Sequence, residues 1–166
     1  MRSAPLKVLA TNTSVKSKVV SDKKTDTTNI QKQVAAETQT VYIVVADTGL
    51  NYYALDNEMK SLSHTAHIRI DTGDNYYNKA KNLIALPDTS SDEIYAGEYY
   101  PRRYPSESLS LEYLQSYRST SAEKMIALVA GIYEKKSSAD SAVKALATAR
   151  GKAFAIKTSL YMGCIH

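Results

Sequence analysis

The first regular pattern of apolar and polar positions occupies residues 41–71. A continuous β-branched run at 41–46 predicts a buried strand, and apolar residues at helical spacing predict an amphipathic helix over 50–62. Alternation at 67–71 then predicts a strand with one face exposed. These three elements form one β-α-β unit.

The same order of elements returns near the C-terminus. A strand is predicted at 124–130, and it is followed by a helix that Ser137 or Ser138 caps. Gly151 ends this helix, and the chain resumes as a strand at 153–157, which the residues up to 163 could prolong. The second β-α-β unit therefore repeats the first.

Together the two units predict one α+β domain over 41–166 with a ferredoxin-like order, in which β-α-β occurs twice and the helices cover one face of a mainly antiparallel sheet. The first unit spans 41–71 and the second spans 123–166. Residues 72–122 lie between the halves as an insertion of about fifty residues.

Two elements are predicted inside this insertion. Residues 75–78 and 82–87 have the pattern of a β-hairpin. Further on, Ser106 or Ser108 is placed to cap a helix that runs through Tyr117.

Residues 1–40 differ from the rest in charge and composition. They hold seven Lys and Arg against three Asp and Glu, which accounts for the whole net charge of +4, and they contain none of the 13 Tyr. Their apolar residues are too sparse to offset the entropy of ordering the chain, so we expect a disordered basic tail or tether. A short basic amphipathic helix near 6–9 is the alternative.

This distribution argues against several classes of function. Residues 41–166 hold fourteen basic and fourteen acidic side chains, so the predicted domain lacks the basic surface that nucleic acids require. The longest apolar run, 126–132, is far shorter than the roughly 20 residues of a membrane helix. The sequence has no phosphate-binding loop, nucleophile elbow or zinc-protease motif, and we expect no cofactor.

The few metal-ligating residues carry little signal. Cys164 and His166 supply two of the four ligands that a closed zinc site takes, so we expect no metal there. His64 and His67 are expected to be surface residues.

The second unit has a distinctive turn and helix. Its strand ends in Gly131-Ile132-Tyr133, and one face of the Ala- and Leu-rich helix is formed by Ala142, Val143 and Leu146. This order, over about 125–162, resembles half of a SPOR (sporulation-related repeat) domain, and 41–166 as a whole looks like a family of bacterial envelope proteins with SPOR-like halves. The resemblance implies a ferredoxin-like fold and binding of peptidoglycan, especially of glycan strands without stem peptides.

A Tyr- and Arg-rich segment supplies the candidate ligand-binding residues. They are Tyr99, Tyr100, Arg102, Arg103 and Tyr104, joined by Tyr133 at the SPOR-like turn. Sugars stack on tyrosine rings, and arginine pairs with carboxylates of a lactyl group or a stem peptide. The alternative is that these side chains pack the insertion onto the domain, because a chain with no Trp and one Phe must build its aromatic core from Tyr.

We therefore expect a non-enzymatic module of the cell envelope that binds peptidoglycan or another glycan. Such a module would lie in the periplasm or at the outer membrane, with its signal segment or anchor outside the present sequence; without one the protein would be cytoplasmic. A structural domain whose insertion docks a protein partner is the alternative. A third hypothesis is a cell-wall hydrolase that uses Glu93 or Glu98.

Overall fold

The computed structural model describes residues 31–32 and 35–163 of the chain. Most of the predicted tail lies outside these residues, as do Cys164 and His166. Of the predicted tail, residues 38–40 belong to the first strand instead, and residues 31–32 and 35–36 are helical. The β-branched run at 41–46 therefore sits in the middle of a longer strand rather than at its start.

Residues 38–161 form two helices and two antiparallel sheets. In chain order the elements are β1 (Thr38–Gly49), α1 (Tyr52–Ala66), β2 (Tyr76–Asn78), β3 (Leu83–Ala85), β4 (Ser110–Tyr113), a 3-10 turn (Leu114–Ser116), β5 (Ile126–Tyr133), α2 (Lys136–Arg150) and β6 (Phe154–Tyr161).

The main sheet confirms the predicted fold class. Its strands lie in the order β4-β5-β1-β6, and every neighbouring pair is antiparallel. Helix α1 connects β1 to β4 and helix α2 connects β5 to β6, so each crossover skips the strand between its ends. This is the ferredoxin-like arrangement. The predicted hairpin is also confirmed, as the separate β2–β3 sheet.

Each helix buries one stripe and has a definable start and end. Leu55, Met59 and Leu62 are the buried residues of α1, whose N-cap Asn51 accepts a hydrogen bond from the Ala54 amide at 3.1 Å. Helix α2 begins after Lys135 with no side-chain cap, so the predicted caps Ser137 and Ser138 were wrong. The predicted end at Gly151 is confirmed, since this residue adopts φ 66° and donates to Ala147 O at 2.9 Å.

Strands β4, β5 and β1 of the main sheet are largely buried on both faces. One face packs against the helices, with buried side chains from the strands and both helices: Val44, Ala46, Leu55, Met59, Leu62, Leu128, Ala130, Ala139 and Leu146. The opposite face forms a second cluster: Val41, Ile43, Val45, Leu114, Tyr117, Ala127, Val129, Ile132 and Ile156. The continuous apolar run of β1 follows from this, because a strand covered on both sides has no polar face.

Two predicted elements were wrong, one in the first unit and one in the insertion. The strand expected at 67–71 contributes only Ile70, which forms an isolated parallel bridge with Leu109. The helix expected to run from Ser106 or Ser108 through Tyr117 is instead the strand β4 followed by the 3-10 turn. Here β4 takes the edge position beside β5, and the extra residues of this fold lie between α1 and β4.

Candidate functional site

The Tyr- and Arg-rich segment is attached to the main sheet at its C-terminal end. Ser106 and Ile132 form an antiparallel bridge, in which each backbone amide donates to the other carbonyl, at 3.1 and 3.0 Å. At the other end of the segment, Leu86 N donates to Glu98 O at 2.9 Å. Residues 99–105 are therefore held between two fixed points, and one of them lies next to Tyr133 at the end of β5.

Arg102 points into this attachment and binds the backbone that leads into β4. Its Nη2 donates to Ser106 O at 2.7 Å, and its Nη1 donates to Ser108 O at 2.8 Å and to Ser110 Oγ at 3.1 Å. Burial lowers the pKa of this guanidinium, but it stays far inside its protonated range. The structure thus places Arg102 as a packing residue, which was the alternative to the ligand-binding role.

Glu112 of β4 completes this buried group, and no sequence pattern marks it as a candidate residue. The side chain is 1% exposed, and its Oε2 accepts a hydrogen bond from the Tyr99 hydroxyl at 2.6 Å. Burial raises the pKa of Glu112, whereas the hydrogen bond from Tyr99 and the nearby Arg102 charge act in the opposite direction. Burial also raises the pKa of Tyr99 well above its ordinary value, so its hydroxyl remains a donor.

We call Tyr99, Arg102, Ser110, Glu112 and Tyr117 the β4 polar cluster. Tyr117 closes it by donating its hydroxyl to Arg102 O at 2.8 Å, and Tyr99 also accepts from the Tyr113 amide at 3.1 Å. That last bond satisfies a backbone donor on an edge strand, where unpaired amides invite aggregation. The β4 polar cluster is therefore part of the fold rather than an open site.

Arg103, Tyr100 and Tyr104 form a second group. The Arg103 guanidinium lies over both rings, 5.2 Å from the Tyr100 centroid and 5.5 Å from the Tyr104 centroid. It donates to the Tyr161 and Gly163 carbonyls at 3.0 and 3.3 Å and also to the Tyr100 hydroxyl. Arg103 is 8% exposed, whereas Tyr104 is 55% exposed and presents a ring to solvent.

These three residues line a depression of about 240 Å³, which we call the loop cavity. Asp71, Asn75 and Ser106 contribute to the rest of its wall. Asn75 is 8% exposed; its Nδ2 donates to Tyr100 O at 2.8 Å, but its Oδ1 has no hydrogen-bond partner among residues 31–32 and 35–163. Arg103 Nε likewise has no acceptor among these residues. The loop cavity therefore combines an exposed aromatic face with buried polar atoms whose hydrogen-bonding capacity is unused.

Tyr133 lies in two further depressions beyond Ser106. The middle depression, of about 380 Å³, is lined by Pro105, Ser106, Glu107, Ile132, Tyr133, Glu134, Lys135 and Ser138. The helix groove, of about 500 Å³, is lined by Ala66, Ile68, Glu107, Ala130, Tyr133, Ser138, Ser141, Ala142, Ala145 and Leu146. Because neighbouring depressions share lining residues, the loop cavity, the middle depression and the helix groove adjoin one another along the surface.

The Tyr133 ring is held in place by its own strand. A Cβ atom at Gly131 would come within 2.6 Å of the ring, so the ring lies across the glycine. Burial raises the pKa of Tyr133, and the Glu107 carboxylate adds to that shift. The Gly-x-Tyr pattern thus has a packing reason here, since only glycine leaves room for the aromatic residue two positions later.

The two carboxylates considered for hydrolysis have different surroundings. Both Glu93 and Glu98 are exposed, but Glu98 lines a separate depression of about 440 Å³ together with Tyr113 and Glu123, and Glu93 does not line it. Glu98 is thus brought near Glu123, a residue that sequence spacing did not select.

His64 and His67 are exposed, as expected, and His67 adopts the left-handed conformation that ends α1. Among residues 31–32 and 35–163, no three His, Cys, Asp or Glu side chains are grouped so that they could hold a metal ion. Over the same residues, no helix has the length and apolarity to cross a membrane.

Comparisons with known proteins leave the site to be interpreted from its own geometry. No protein-family model, curated protein or solved structure matches this chain.

Of the six residues selected from sequence, Tyr100, Arg103 and Tyr104 meet in the loop cavity, and Tyr133 lies on the adjoining surface. Tyr99 and Arg102 are used by the β4 polar cluster, although Arg102 also touches the loop cavity. Asn75 was missed, because its role depends on a contact with Tyr100 that is distant in sequence.

Proposed function

We propose that this protein is a non-enzymatic module that binds a glycan strand, with peptidoglycan as the first ligand to test. The observation that carries the proposal is the adjoining set of the loop cavity, the middle depression and the helix groove. An exposed Tyr104 ring stands at one end and the half-buried Tyr133 ring stands further along. Several adjoining depressions offer neighbouring points of contact, which suits a polymer better than one compact small molecule.

The chemistry of this surface is that of a sugar site. The faces of Tyr104 and Tyr133 offer flat apolar area for pyranose rings, while Asn75, Ser106 and Glu107 offer polar atoms to hydroxyl groups. The loop cavity is smaller than the roughly 300–1,000 Å³ of cavities for drug-sized ligands, which suits a single ring or substituent. The equal numbers of acidic and basic residues in 41–166 are compatible with a polymer of low charge density.

The resemblance to SPOR half-domains supports peptidoglycan among the candidate glycans. It involves the unit β5-α2-β6, and Tyr133 in that unit lies in two of the three depressions. A glycan of this kind places the protein in the periplasm or at the outer membrane, and this location is part of the proposal. A protein partner that docks on the extra residues between α1 and β4 is the competing proposal.

Co-sedimentation with purified sacculi tests the proposal directly. The protein should pellet with sacculi, and binding should be stronger after the stem peptides are removed. Tyr104→Ala and Tyr133→Ala should each weaken binding by about tenfold, the effect of one lost ring contact. Tyr104→Phe, which keeps the ring, should bind normally.

Tyr76→Ala is the matched control, because Tyr76 is also exposed, at 41%, but lies on β2 away from the three depressions. Absence of co-sedimentation under both conditions would reject the glycan proposal. Equal effects of the Tyr76, Tyr104 and Tyr133 variants would reject this surface as the site. Release of soluble muropeptides that Glu98→Gln abolishes would instead support the hydrolase.

A further inference from the structure

Arg103 is a buried cation with unused hydrogen-bonding capacity. A guanidinium carries five N–H groups. Two on Nη1 serve the Tyr161 and Gly163 carbonyls and one on Nη2 serves the Tyr100 hydroxyl, which leaves the Nε–H and one N–H on Nη2. All three acceptors are uncharged, so these bonds orient the side chain without neutralising it.

Within the described part of the chain, Arg103 belongs to no ion pair. Asp71 lines the same cavity, but its carboxylate is paired with Arg69 at 2.9 Å. Arg102 also belongs to none of these ion pairs and its Nε also lacks a partner among these residues, but the buried Glu112 carboxylate lies close enough to interact with its charge. A charge that is more than nine-tenths buried and lacks an opposite charge is unfavourable, and an anion that enters the cavity relieves this.

We propose that the loop cavity binds a carboxylate carried by the ligand, and that Arg103 is the residue that pairs with it. A carboxylate oxygen accepts from the remaining N–H on Nη2, because Nε is itself buried, and the flanking Tyr100 and Tyr104 rings hold the guanidinium between them. The exposed Tyr104 ring then stacks on the sugar that bears the acid.

This inference rests on the proposed function, because it assumes that the ligand is a glycan. It narrows that glycan to an acidic saccharide. Two sources share this chemistry, namely a lactyl ether on an amino sugar and the acid group of a uronic acid. In either source the carboxylate stands next to a pyranose ring, as the arrangement of Arg103 beside Tyr104 requires.

The ligand can be changed without disturbing the protein. Titration calorimetry would compare stem-free peptidoglycan strands that retain their lactyl carboxylates with the same strands after conversion of these groups to methylamides. We expect the acid strands to bind at least tenfold more tightly. Oligouronates and their methylamides form the second arm, and the arm with the larger ratio of acid to amide affinity identifies the source.

Arg103→Gln should reduce the acid-to-amide ratio to near one, and Arg103→Lys should lower it in part, because lysine keeps the charge but lacks the planar guanidinium that lies between the two rings. The ratio does not depend on the fraction of folded protein, so a loss of stability does not imitate the result. Arg118→Gln is the matched control, since that guanidinium lies over Phe154, outside the cavity.

Equal binding of acid and amide strands by the unaltered protein overturns the carboxylate inference and leaves glycan binding in place. Retention of the full ratio by Arg103→Gln assigns the carboxylate to another residue and also overturns it. Binding of neither form of any strand rejects the glycan proposal together with this inference.

Discussion

Arg102→Gln tests the assignment of Arg102 to the fold rather than to a ligand. The substitution removes three hydrogen bonds, two to backbone carbonyls and one to Ser110 Oγ, and leaves the buried Glu112 carboxylate without its cationic neighbour. Hydrogen bonds from a charged group contribute about 1.5–3 kcal/mol each, and part of that is regained through water or the glutamine amide. We expect the free energy of unfolding to fall by about 2–4 kcal/mol.

Such a loss is large beside the roughly 5–15 kcal/mol of a typical domain, so it is measurable by urea unfolding followed by circular dichroism. Without Arg102 the pKa of Glu112 rises further. At low pH the Glu112 carboxylate is then protonated, and its burial without a cationic neighbour costs less. The deficit should therefore be smaller at pH 4.5 than at pH 7.5. Arg118→Gln, which removes only a contact with Phe154, should cost less than about 1 kcal/mol.

A loss below about 1 kcal/mol in Arg102→Gln would refute the reasoning, because the β4 polar cluster would then contribute no more than an exposed contact. A loss of unfolding free energy that is independent of pH would also count against an interaction between the charges of Arg102 and Glu112. In either case Arg102 would return to the list of candidate ligand donors, since it touches the loop cavity.

Three further outcomes are expected in the same unfolding assay. Burial raises the pKa of Glu112 above its ordinary 4.5, so the folded state binds more protons than the unfolded state. The free energy of unfolding should therefore decline as pH rises from 4.5 through the raised pKa. Glu112→Gln should flatten this decline. Gly131→Ala should lose about 1–3 kcal/mol, because the new methyl group displaces the Tyr133 ring, and adding Tyr133→Ala should recover part of it. Asn51→Ala should lose about 0.5–2 kcal/mol through the missing cap on the Ala54 amide, whereas unchanged stability would show that water replaces it.

The sequence by itself determined the second β-α-β unit nearly completely. Its strand, helix and returning strand correspond to β5, α2 and β6, and Gly151 ends the helix as expected. Local sequence patterns are sufficient to predict this unit, because apolar periodicity defines each element and a glycine with positive φ defines the helix end. The start of α2 was misplaced because its N-cap is Lys135, a residue type that carries no capping signal.

Only the tertiary structure decided which segment becomes the edge strand. Alternation at 67–71 favours a strand, yet Leu109, Leu111 and Tyr113 also alternate, and the second segment takes the place beside β5. Between Leu111 and Tyr113 lies Glu112, whose polar side chain makes the segment look like a partly solvated helix. Its burial becomes favourable through Tyr99 and Arg102, and no local pattern could reveal those contacts.

For the candidate site, too, one part was predictable from the sequence and another part depended on the tertiary structure. Composition alone identified the Tyr- and Arg-rich segment, but adjacent arginines have different surroundings: Arg102 faces Glu112, whereas Arg103 lies between two tyrosine rings without a carboxylate partner in the described residues. Two neighbours in sequence have the same chemistry, and their roles depend on which distant residues the fold places beside them. The sequence therefore selected the residue types of the site, and the packing of distant segments decided which of them remain available to a ligand.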